Sequence, residues 1–66
     1  MIVVNGQERD DLRAGITVAE LLQALDAPQR GVAVAIDAEV IPRGEWEGTE
    51  IPEGARVEVL TAVQGG

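Results

Sequence analysis

A chain of 66 residues has room for one domain and one small core, burying about 60% of the surface its unfolded form exposes, and no room for a catalytic cleft beside a substrate domain. Hydrophobic residues make up 45% of it, with neither cysteine nor histidine, so a packed globule is expected with no disulfide, no thiolate metal site and no imidazole ligand. Acids outnumber basic residues 12 to 5, every basic residue is an arginine, and the net charge is −7, which argues against nucleic acid and anionic membranes and for a basic protein surface as partner.

The elements follow in chain order. Ile2-Val3-Val4 is β-branched and runs into Asn5-Gly6, the pair that most readily takes positive φ in a two-residue hairpin loop. Gln7 to Leu12 reads as a polar return strand at an edge, broken by Ala14-Gly15. Thr17-Val18-Ala19-Glu20 matches a capping box, with Ile16 and Leu21 placed for a hydrophobic staple. Val18, Leu21, Leu22 and Leu25 then recur at i, i+3, i+4 and i+7, one apolar stripe on a helix of two to three turns. Pro28 and Gly31 close that segment.

Val32 to Ile36 reads as a strand, Asp37-Ala38-Glu39 turns the chain into Val40-Ile41, and Pro42 ends that run. Arg43 to Trp46 is irregular or one helical turn, Pro52-Glu53-Gly54 is a turn, and Arg56 to Val63 is the last strand. Hairpin, helix, two short strands and a last strand define an α+β domain over residues 1–66, in which one main helix packs on one face of a mixed sheet of four to five strands.

Strand parity points to the other face. If Val57 and Val59 face the helix, Leu60 and Ala62 face away; with Val32, Val34 and Ile36 inward, Ala33 and Ala35 present a low, flat outer surface. These residues are either a docking patch or the ordinary filler of a water-facing sheet, since single exposed apolar side chains are common.

Catalytic and metal-binding patterns are missing. Asp10-Asp11 and Glu45/Glu47 are the nearest approach to paired carboxylates, in loop or edge sequence where solvated charge is the simpler reading. The glycines are isolated turn residues and form no phosphate-cradling run, the acids match no EF-hand spacing, and Trp46 reads as an anchor pinning its loop to the core. No catalytic residue, metal ligand or bound cofactor is assigned. No apolar stretch approaches the ~20 residues of a membrane span and no basic region precedes one, so a cytoplasmic protein is expected.

That leaves the last residues. Gln64-Gly65-Gly66 reaches about 10 Å when extended, and two residues without Cβ can thread a channel too narrow for any other and take whatever φ it demands. The distinctive group is the α-carboxylate of Gly66, a poor acyl donor until its oxygen becomes a good leaving group, as adenylation by ATP makes it. A frayed terminus is the bland alternative.

Taken with the element order, the motifs change that balance. The opening Ile2-Val3-Val4-Asn5-Gly6, the helix start Thr17-Val18-Ala19-Glu20-Leu21-Leu22, Val34-Ala35-Ile36, Ile41-Pro42-Arg43 with Glu45-Trp46, Glu53-Gly54 and the terminal Gly65-Gly66 resemble the ubiquitin-like β-grasp sulfur carriers, most closely the ThiS type of thiamine biosynthesis. Ala55 departs from the acid usual in these carriers after the glycine, at what reads as a turn position. The resemblance implies a protein co-substrate and not an enzyme. A ThiF-like partner, related to ubiquitin-activating enzymes, adenylates the carboxylate of Gly66 with its own ATP and magnesium. Sulfur from a cysteine desulfurase replaces AMP to give a thiocarboxylate, and a ThiG-like thiazole synthase receives the sulfur.

The residues fit: without cysteine, sulfur can ride only on the terminus, and without lysine the activated carboxyl finds no ε-amine on its own carrier. Gln64 and Gly65 form the flexible tail, and Leu60, Ala62, Ala33, Ala35 and Glu58 the docking surface, Glu58 steering basic partners. Delivery to molybdopterin or another thiolation pathway, and a non-covalent β-grasp binding module, are the alternatives.

Overall fold

The computed structural model describes residues 1–27 and 30–61. β1 (Ile2–Val4) and β2 (Gln7–Arg9) pair antiparallel, Val4 opposite Gln7, across a two-residue loop. Asn5 at φ 51° and Gly6 at φ 82° are the two positive-φ residues of a type I′ turn, whose twist matches that of the flanking strands. β2 stops at Arg9, shorter than the Gln7–Leu12 expected, because Leu12 leaves the sheet and is buried in the core instead.

The chain enters α1 (Val18–Ala24) through the expected capping box. Glu20 N–H donates to Thr17 Oγ1 at 3.1 Å, and Thr17 N–H donates to Glu20 Oε1 at 2.9 Å. The helix ends earlier than Pro28. Asp26 turns to φ 56°, its N–H reaches Gln23 O, and Ala27 N–H reaches Leu22 O at 2.9 Å, the paired bonds of a Schellman motif with aspartate where glycine is usual.

β3 (Val32–Ile36) and β4 (Glu39–Ile41) form a second hairpin, Ile36 opposite Glu39. Its loop residues, Asp37 at φ 50° and Ala38 at φ 72°, repeat the type I′ geometry without a glycine. A 3-10 helix, Arg43–Gly48, follows Pro42 and carries the buried Trp46, whose indole Nε1 donates to Ile41 O at 2.9 Å. That is the expected anchor. β5 (Arg56–Thr61) comes last in the chain yet lies at the centre of the sheet, in the order β2-β1-β5-β3-β4, parallel to β1 and antiparallel to β3. The sheet is therefore mixed and five-stranded.

One face of the sheet is covered. Ile2, Val4, Val34 and Val57 alternate inward against Val18, Leu21 and Leu22 of α1, with Leu12, Trp46, Ile51 and Ala55 completing the core. Ala55 is 2% exposed: it is a core residue whose carbonyl accepts from Val3 N–H, where the sequence suggested only a turn. The start of α1 is tied down from outside, since Val18 N–H donates to Thr49 O, and Ile16 and Ile51 bond through Ile51 N–H at 2.8 Å, around a bridge between Thr17 and Glu50.

Candidate functional site

β5 decides what the uncovered face displays. With Val57 and Val59 turned to the core, Glu58 and Leu60 point the other way. Leu60 is 65% exposed and stands opposite Ala33, while Glu58 stands opposite Ala35. Ala33 is exposed and Ala35 half-buried, so neither small neighbour shields the leucine. On the other side of β5, Val3, Asn5, Gly6, Glu8 and Arg56 line a shallow groove that Glu58 and Leu60 complete.

Leu60, Ala33 and Ala35 are thus brought onto one face, as sequence parity placed them, and Glu58 stands on it with them. Val40, 69% exposed and paired with Ala35, extends the apolar strip onto β4. The sequence carried its signal: Ile41 packs inward against the core, so its neighbour had to face out. Ala62, Gln64, Gly65 and Gly66 lie outside the described residues, and Thr61, whose partner on β3 is Val32, is the last described position before them.

The backbone of β5 is held at both ends by turn residues. Asp37 Oδ1 accepts from Arg56 N–H at 3.0 Å, and Asp37 N–H donates to Arg56 O at 2.8 Å. At the far end, Asn5 N–H donates to Val57 O at 2.8 Å, and the Asn5 side-chain amide accepts from Val59 N–H at 2.8 Å and donates to Val59 O at 3.2 Å. Both turn residues sit at positive φ, a region that Asn and Asp tolerate better than other non-glycine residues.

Charge on the described surface is largely solvated. Arg9 holds Asp11 through two bonds, Nε to Oδ1 at 2.9 Å and Nη2 to Oδ2 at 2.7 Å, and this hydrogen-bonded pairing lowers the Asp11 carboxyl from its ordinary value and raises the Arg9 guanidinium. The N-terminal ammonium pairs with Glu53. Among the described residues no polar or charged side chain is buried, no three acidic residues gather into a metal-binding group, and no helix is long and apolar enough to cross a membrane.

Comparison with known proteins converges on one group. A model of the ThiS family matches residues 2–66. The sulfur carrier protein ThiS of Escherichia coli is 38% identical over 53 residues, 80% of each chain. A crystal structure of a thiamine biosynthesis protein (ThiS) from Geobacter metallireducens superposes with a TM-score of 0.80 at 34% identity, covering 98% of this chain and 97% of that one. A thiazole synthase of Paramagnetospirillum magneticum is 32% identical over 65 residues, which are 98% of this chain and 20% of the synthase.

Proposed function

The chain belongs to the ThiS family, and on that premise we propose that this sulfur carrier of thiamine biosynthesis bears its sulfur on the α-carboxyl of Gly66. Its five-stranded mixed sheet with one helix is the ubiquitin-like β-grasp of the Geobacter structure. The observation that carries the reading is that the family model runs through Gly65 and Gly66, residues with no side chain to bury.

The chemistry is that of an acyl group waiting for a leaving group. In a ThiF-like partner, a carboxylate oxygen of Gly66 attacks the α-phosphorus of ATP, and pyrophosphate departs with its electron pair. The terminal sulfur of a persulfide formed by a cysteine desulfurase then adds to the acyl carbon and expels AMP. A thiol cleaves the S–S bond of the resulting acyl disulfide, leaving a thiocarboxylate on the carrier and a disulfide between that thiol and the sulfur that had borne the persulfide. ATP and magnesium belong to the partner, since this sequence offers no phosphate-cradling loop.

The carrier's own part is to present the tail and to dock. Leu60, with Ala33 opposite it and Ala35 on the same strand as Ala33, supplies the apolar contact, to which strand parity in the sequence adds Ala62. Glu58 beside it attracts a basic rim, which raises the association rate more than the final affinity. A ThiG-like thiazole synthase is the proposed acceptor. That reading is supported by a synthase with one fifth of its length similar to nearly all of this chain, because joining donor to acceptor raises their effective concentration.

Intact-mass analysis tests the proposal. Wild type incubated with the activating enzyme, ATP, magnesium and a sulfur source is expected to exchange one oxygen for sulfur, while deletion of Gly66 abolishes the exchange and leaves the fold unchanged. Equal loading of both proteins would refute it. A loaded carrier that supplies a molybdopterin or tRNA acceptor, but no thiazole synthase, would move it to another thiolation pathway.

A further inference from the structure

From the bonds around β5 we infer that Asn5 is a positioning residue, which sets the direction in which the tail leaves the domain. The inference rests on the carrier reading above. Alternation along β5 turns the N–H and C=O of Val57, Val59 and Thr61 toward β1. β1 ends at Val4, because the chain turns back at Asn5-Gly6, so no β1 residue is left to pair with Val59. The Asn5 side chain fills that place. Its amide oxygen accepts and one of its N–H groups donates, and both bonds go to the backbone of Val59, the exchange made by a hydrogen-bonded antiparallel pair.

Past Val59 the β1 side of Thr61 borders a groove lined by Gln7, Arg9, Leu25, Asp26 and Ala27, with no neighbouring strand among the described residues. Asn5 is therefore the last tie on that edge among the described residues. The other edge is held as far as the Val32–Thr61 pair. With Val59 tied to Asn5 and its neighbour Leu60 paired with Ala33 of β3, the end of β5 is held at both edges, which sets the course of the strand beyond. Held from β3 alone, the end of β5 can swing, and the tail samples directions that must be given up when it enters a partner's channel. Such ordering is a cost of binding. Asp37 ties Arg56 in the same manner at the opposite end of β5, where no tail follows, and it provides the control.

The test measures steady-state adenylation by the activating enzyme, with carrier as the varied substrate, at an ionic strength that screens single-charge differences. Asn5→Gly keeps the positive φ without strain and deletes the amide. It is expected to raise the KM for the carrier roughly five- to twenty-fold with kcat within about twofold, and to speed hydrogen exchange of the Val59 amide about tenfold or more. Asp37→Gly, with a comparable loss of thermal stability, is expected to leave KM within about twofold of wild type. Should Asn5→Gly fold poorly, Asn5→Asp retains the turn and the acceptor but sets a carboxylate oxygen against Val59 O, and it too should raise KM. An unchanged KM despite fast Val59 exchange, or the same rise in KM for Asp37→Gly, overturns the inference while wild-type turnover upholds the carrier reading. Wild type that is not adenylated at all refutes both.

Discussion

The two faces of the sheet differ in what their side chains do. On the covered face Ile2, Val34 and Val57 meet Val18, Leu21 and Ile51 with nothing left exposed. On the open face the strand-paired neighbours are Leu60 with Ala33, Glu58 with Ala35, and Ala35 with Val40, a leucine and a valine standing in solvent among alanines and a carboxylate. Successive residues of the same strand supply both. Val57 holds the domain together, and Leu60, three positions on, contributes little to folding and is free to bind.

The largest effect expected from breaking this contrast lies on the covered side. Leu21→Ala removes a fully buried side chain at the helix–sheet contact and should cost about 2–5 kcal/mol, a large part of the roughly 3–10 kcal/mol available to a domain this size. Thermal or urea unfolding would read it, and a loss below about 1 kcal/mol would mean that the helix is less tightly packed than its burial indicates.

On the open side the balance reverses. Leu60→Asp should change stability by no more than about 0.5 kcal/mol and weaken binding to the activating enzyme or the thiazole synthase by more than about 1 kcal/mol. Because the contact is apolar, the wild-type dissociation rate should vary little across a salt series while the association rate falls. Wild-type affinity in the Leu60→Asp protein would remove Leu60 from the docking surface.

The turns that tie down β5 offer a smaller effect, of opposite sign. Ala38 carries a Cβ at φ 72°, in a region that disfavours it, whereas glycine adopts it freely. Ala38→Gly should therefore stabilise the domain, by about 0.5–1 kcal/mol, measured as a higher unfolding midpoint. A lower midpoint would show that this turn is not held in its left-handed geometry in solution.

The smallest effect concerns pH. Asp11 titrates below its ordinary value because Arg9 hydrogen-bonds its charged form. Its contribution to stability is thus complete above the unfolded carboxylate range, roughly pH 4, and is lost as pH falls through the depressed folded value. Both groups are solvent-exposed, so Asp11→Asn should only slightly flatten the acid limb of the stability curve and leave neutral pH nearly unchanged. A clear loss at neutral pH would mean that the pair organises the β2–α1 connection.

Much of this was legible in the sequence, and the reason is distance along the chain. The Asn5-Gly6 turn, the Thr17/Glu20 capping box, the Val18-Leu21-Leu22 stripe and the outward phase of Leu60 each depend on residues within a few positions of one another. The Arg9 end of β2 and the Ala24 end of α1 fell inside the expected spans, because Leu12 is drawn into the core and Asp26, just past the helix, accepts a left-handed conformation without the glycine that would have announced it.

What the amino-acid sequence determined by itself is therefore the element types, the face each presents and, through Gly65-Gly66 with the Pro42-Arg43 to Trp46 stretch, the likeness to the sulfur carriers. The tertiary structure alone decided that the last strand lies at the sheet's centre, that Ala55 is interior, and that Asn5 and Asp37 hold β5 from residues 54 and 19 positions away. Burial and strand neighbourhood depend on the whole chain closing around a common core. An asparagine that reads locally as a turn former becomes a substitute strand residue only once β5 has been brought beside it.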